Sequence, residues 1–181
     1  RSTLALLPMK TRFIPWLALF AHAAVVDAAP LKIHFISGAR EYKSEQSLKA
    51  FIPWLEKNYV VKCTTSWGHD GIEELPNLAA LKEADVLFVF ARRMKLKEAH
   101  MKMIRAHWEA GKAVVGVRTA SHAFQKADNE IFDRQGMGGN YQGHFGDVAV
   151  KVSNMGKHPV LRRVGAITSD KLYKAGPLAK T

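Results

Sequence analysis

Cysteine is nearly absent: Cys63 stands alone in 181 residues, so an internal disulfide is impossible. It follows Val60-Val61-Lys62 in an expected strand, where a buried, inert thiol is the plain reading. Like charges do not cluster either. The formal net charge is +11, yet no run of five or more lysines and arginines occurs, so no specific nucleic-acid stripe is evident. Anionic small molecules, cell-wall polymers and a lipid surface remain compatible with that balance. No apolar run is long enough to span a bilayer, and no internal repeat is visible. The dinucleotide fingerprint is missing as well: Tyr141 stands where Gly136-x-Gly138-x-x-Gly requires its third glycine. That glycine-rich stretch carries no phosphate-binding Lys-Ser or Lys-Thr pair.

What is present begins with an apolar run, Phe13-Ile14-Pro15-Trp16-Leu17-Ala18-Leu19-Phe20-Ala21-His22-Ala23-Ala24-Val25-Val26. Met9, Lys10 and Arg12 precede it and Asp27-Ala28 follow. A basic start, a short apolar stretch and a small-residue cleavage pattern predict a secretory signal peptide. An uncleaved anchor or an amphipathic helix is the alternative. The expectation is a signal peptide over 1–28, with residues 1–8 an upstream extension, then one exported domain over 29–181 with no membrane span after cleavage. With 48% hydrophobic residues, that length can bury a sizeable core.

The remaining chain alternates strands and helices. Strands are expected over 31–36, 59–64, 86–90, 114–117 and 148–152. A helix capped by Ser44 carries Leu48, Phe51, Ile52 and Leu55 at helical spacing, with Pro53 expected to kink it. A second helix over 95–110 carries Met101, Ile104 and Trp108 as a core stripe and stops at Gly111. Gly136 to Gly146 holds too many glycines for a helix or central strand and reads as a loop. Residues 170–181 carry little periodic signal. Such βαβ order implies a mainly parallel sheet covered on both faces.

In open sheets of this kind ligands bind beyond the carboxyl ends of the strands. Lys112-Ala-Val-Val-Gly-Val-Arg-Thr-Ala-Ser-His-Ala-Phe124 breaks from a valine-rich strand into Arg118, Thr119, Ser121 and His122, which are expected to open a helix. Glu41 follows the first strand, and Arg92 and Arg93 follow the third. Asn140, Tyr141 and His144 lie in the glycine-rich stretch. The bland reading is that these residues cap helices and pair on the surface. A serine hydrolase is disfavoured because the residues around Ser121 lack the glycines of a nucleophile elbow. A metal held by His122, His144, Asp147 and His158 matches no zinc spacing, so none is assigned. Acid-base chemistry needs less: His122, His144 and Glu41 as proton carriers, with Arg118, Arg92, Ser121, Asn140 and Tyr141 as substrate contacts. The residues name no cofactor and no oligomeric state.

The same segments, Gly111 to Phe124 with Gly138-Gly-Asn-Tyr-Gln-Gly-His144, His158-Pro-Val-Leu161 and Ile36-Ser-Gly38, resemble the ThuA-like (trehalose utilisation) family. That resemblance implies a flavodoxin-like three-layer α/β sandwich akin to class I glutamine amidotransferases, and a role in sugar or ketosugar metabolism, often in exported proteins. It also implies that the chain is incomplete at its carboxyl end. Amidotransferases of that class carry a cysteine nucleophile after the equivalent strand, where Gly116-Val117-Arg118 offers an arginine. Glutamine hydrolysis by that route is therefore excluded. The expected ligand is a carbohydrate-like small molecule, and a non-catalytic module binding glycans or a protein is the alternative.

Overall fold

The computed structural model describes residues 29–69, 71–152, 159–162 and 164–178. The expected signal segment and His158 lie outside them. Four parallel strands form the central sheet: β1 (Leu31–Gly38), β2 (Val61–Trp67), β3 (Val86–Ala91) and β4 (Ala113–Gly116), in the order β2-β1-β3-β4. The register runs Ile33↔Cys63 on one side of β1 and Ile33↔Val86 on the other. β1 is central, which is why Ile33 to Gly38 are all buried.

Side chains alternate between two apolar layers, as a pleated strand requires. Ile33 and Phe35 of β1 pack with Leu48, Ile52 and Leu55 of α1 (Ser44–Asn58), joined by Phe88 and Phe90 of β3. Ile36, Leu87 and Val89 face the opposite way. They meet Met101 and Ile104 of α2 (Glu98–Glu109), Leu78 and Leu81 of a 3-10 segment, and Phe124 and Phe132. The result is a flavodoxin-like three-layer α/β arrangement. Among the described residues no helix is long and apolar enough to cross a membrane.

Several expectations need correction. Ser44 does not cap α1. It is the first helical residue, while Lys43 occupies the cap position in the left-handed region with φ 51°. The buried Ser44 hydroxyl instead accepts the Ala39 N–H at 2.9 Å and bonds Ser37 Oγ at 2.9 Å, tying the end of β1 to the start of α1. The helix expected after Arg118 is only a 3-10 turn, Ala120–His122, followed by the short α3 (Lys126–Ile131) and a π-helical turn, Phe132–Gly136.

The largest departure is at the carboxyl end. The glycine-rich stretch is a loop only from Met137 to Asn140, and β5 (Tyr141–Val152) begins well before the strand expected from Val148. It pairs antiparallel with β6 (Ile167–Ala175), which local periodicity does not announce. Register shifts between Tyr141 and His144, and between His144 and Asp147, explain how a strand tolerates these glycines. A bulge needs a residue free of Cβ strain, and Gly143 supplies it at φ +110°.

Candidate functional site

Strand order decides where the site lies. The chain leaves β1 toward β2 on one side and continues through β3 to β4 on the other, so a crevice opens at the carboxyl ends of β1 and β3. Glu41 follows β1 and Arg92 follows β3. Their side chains meet across that crevice, Arg92 Nη1 lying 3.2 Å from Glu41 Oε2.

Backbone strain concentrates along the same edge. Lys43 after β1, Arg93 after β3 and Thr119 after β4 have φ of 51°, 48° and 71°, a region where a Cβ costs about 1–2 kcal/mol. The tight turn thus falls on Thr119, one residue past Arg118. Its buried hydroxyl donates to the Ala91 carbonyl at 2.7 Å, clamping the end of β4 to the end of β3. That commitment removes Thr119 as a nucleophile. Cys63 is no substitute: it lies in β2, with burial pushing its thiol up to about 11.

The Ala120–His122 turn then delivers His122 beneath the hairpin. Its carbonyl accepts the Arg93 N–H at 2.9 Å. The ring stacks on Tyr141 with centroids 4.6 Å apart and planes at 18°, and Tyr173 of β6 meets it edge-on at 5.5 Å. Tyr141 and Tyr173 contact each other at 5.4 Å. His122 Nδ1 lies 3.3 Å from Ser121 Oγ. Burial, then the guanidiniums of Arg93 and Arg92 and the His144 imidazole, lower the His122 pKa to about 4, with Glu41 pulling the other way. The imidazole is therefore neutral near pH 7, with its acceptor lone pair free of a proton but less basic than that of an exposed histidine.

The hairpin is held over this ring by a buried carboxylate. Asp133, in the π-helical turn, accepts the Tyr141 N–H at 2.6 Å through Oδ2, and its carbonyl accepts the Gly139 N–H at 2.7 Å. Burial raises the Asp133 pKa, although the Tyr141 amide opposes that rise. Arg118 lies with its guanidinium 4.7 Å from the centre of the Tyr42 ring. Beside it opens a cavity of about 370 Å³ lined by Arg118, Ser169, Lys171, Leu172 and Tyr173.

Glu41, Arg92, Ser121, His122 and Tyr141 are thus brought together, with Arg118 joined to them through Tyr42. His144 is exposed on β5 opposite Tyr173, close enough to act on the charge of His122. Asn140 is engaged elsewhere: its amide donates to the Pro177 carbonyl at 3.2 Å and its own carbonyl accepts the Gly176 N–H, closing the hairpin base. Asp147 pairs with Lys171 across the hairpin. Among the described residues no group of three or more His, Cys, Asp or Glu is placed to hold a metal.

Sequence reasoning misses Tyr42, Tyr173 and Asp133. Tyr42 is within its reach, since it follows Glu41 in the loop after β1. Tyr173 and Asp133 give no local signal, because what places them is a strand pairing and a buried backbone bond.

No protein-family model matches the chain, and no curated protein matches it in sequence. A solved structure does. It is a ThuA-like protein from Bacteroides uniformis ATCC 8492, so named provisionally, similar to this chain with a TM-score of 0.57 and 16% identity. The chain has a ThuA-like fold. The match covers 87% of this chain and 66% of that protein, so the present chain spans less than two thirds of its neighbour's length. At this identity the likeness speaks for the ThuA-like architecture alone.

Proposed function

We propose that this ThuA-like domain acts, after export, on a sugar or ketosugar, moving a proton at a carbon next to a carbonyl with His122 as the base. The observation that carries the reading is a neutral, buried imidazole packed against two tyrosines at the strand crevice, within the field of two guanidiniums. Tyrosine faces suit the C–H face of a sugar ring and their phenols suit its hydroxyls. A neutral His122 can accept the carbon-bound proton. The electron pair left behind moves onto the carbonyl oxygen, and Arg92 or Arg118 is the group to stabilise that oxyanion. Return of the proton to the same carbon from the opposite face, by the more exposed His144, completes an epimerisation; return by His122 to the former carbonyl carbon, with the adjacent hydroxyl proton passing to the oxyanion, completes an isomerisation, and neither changes the net oxidation state. Export rests on the basic and apolar pattern of residues 9–28.

The test is solvent deuterium exchange into a 3-keto-disaccharide, followed by proton NMR with the 181-residue chain. Exchange well above the buffer rate is expected, falling about 10²–10⁴-fold in His122→Gln. Arg118→Ala is expected to weaken it as well. Saturable sugar binding without exchange, unchanged in His122→Gln, would instead make the domain a non-catalytic glycan-binding module.

A further inference from the structure

A second cavity, about 740 Å³ in volume, opens at the carboxyl ends of β1 and β2, and none of its lining residues belongs to the His122 cluster. Its walls include Arg40, Lys43, Lys49, Trp67 and His69 together with the first turn of α1. We propose that this cavity binds a small phosphate monoester carrying a ring.

Charge is the first argument. Among the described residues three permanent cations line the cavity against one carboxylate, Glu45, and that carboxylate is already paired with Lys49 at 2.6 Å. Arg40 and Lys43 have no carboxylate partner among the described residues. Like charges held at one cavity repel unless an anion joins them, and a dianion gains from both. A guanidinium and a flexible ammonium are the pair best suited to a phosphate, one offering a planar fork and the other a point charge.

The shape of the wall supplies the second argument. Trp67 is half-buried at the end of β2, and the Lys49 ammonium lies 5.6 Å from the centre of its indole. An apolar wall therefore adjoins the cationic rim. Inorganic phosphate would use only the rim, whereas a ring joined to the phosphate would also cover exposed indole. The volume lies within the usual range for small-molecule sites, about 300–1,000 Å³.

The turn between β1 and α1 separates this cavity from the other site. Arg40 and Lys43 line the cavity, while Glu41 and Tyr42, between them, reach Arg92 and Arg118. The proposal stands whether or not His122 is a base.

Calorimetric titration of the chain at low salt with phenyl phosphate, glucose 6-phosphate and inorganic phosphate tests it. At least one ring-bearing phosphate should bind about tenfold more tightly than inorganic phosphate, and which of the two does so tells an aromatic ring from a sugar ring. The double variant Arg40→Ala, Lys43→Ala alters only exposed side chains and should weaken binding about tenfold or more. Trp67→Phe and Trp67→Ala should remove the advantage of the ring in graded steps, and His122→Gln should leave affinity unchanged. Equal affinity for all three probes, no effect of the Arg40 and Lys43 double variant, or loss of binding in Arg118→Ala would overturn the proposal. Should Trp67→Ala fail to fold, the double variant and the comparison of the three probes still decide the outcome.

Discussion

Acidification should destabilise this protein through two buried histidines, and the size of the effect follows from their surroundings. His34 is fully buried in β1, with Nδ1 2.8 Å from Thr64 Oγ1 and Nε2 3.0 Å from Ser66 Oγ. Ser66 donates its hydroxyl proton to the Pro76 carbonyl at 2.7 Å, so Nε2 must carry the imidazole proton and Nδ1 must accept from Thr64. A second proton would put a charge inside the sheet. Burial accordingly lowers the pKa of His34 from 6.5 to about 4, and that of His122 by the same amount. Between those values the unfolded chain binds more protons than the folded one, so stability falls as pH drops through that window and levels off below about 4. The limiting cost is about 3 kcal/mol per histidine, of which about 2 kcal/mol is spent between pH 7.5 and 5. His107, also shifted downward by burial, adds in the same direction. Asp133, shifted upward, works against them at lower pH. Urea unfolding followed by circular dichroism at several pH values measures the slope. His34→Gln and His122→Gln should each remove about half of it. A stability that stays flat from pH 7.5 to 5, or a slope that neither variant changes, would refute the reasoning.

Other perturbations have equally definite outcomes. Asp133→Ala should cost about 1–3 kcal/mol, because it leaves the Tyr141 N–H without its acceptor; chemical unfolding gives the figure, and amide exchange at Tyr141 should accelerate. Gly139→Ala would put a Cβ 2.3 Å from Asp133 Oδ1, so a loss of about 1–3 kcal/mol is expected by the same unfolding assay. Leu87→Ala removes a side chain with no exposed surface from the larger core and should cost about 2–5 kcal/mol in urea. Glu41→Gln takes away the carboxylate that favours the His122 imidazolium, so the His122 titration midpoint read by NMR should move to lower pH than in the unaltered chain.

The legible parts of the chain are those whose side-chain directions depend on their own backbone. Met101 and Ile104 of α2 are buried on one stripe, as their spacing requires, and Gly111 ends that helix at φ +74°. Legibility fails where a distant partner decides the outcome. Ile167 to Ala175 show no clean alternation, and they become a strand because β5 offers an antiparallel edge that satisfies their backbone groups. Ser44 reads as a helix cap because its chemistry allows one. In the fold its hydroxyl is engaged by Ser37 and Ala39 instead.

By itself the sequence determined the layered α/β architecture and the edge on which polar side chains gather, since apolar strands alternate with amphipathic helices and end where the polar residues begin. Tertiary structure alone decided what His122 is. Register between β5 and β6 brings Tyr141 and Tyr173 onto the imidazole, Asp133 holds that hairpin in place, and exclusion of water by these contacts, rather than any property of the neighbouring sequence, keeps the ring uncharged.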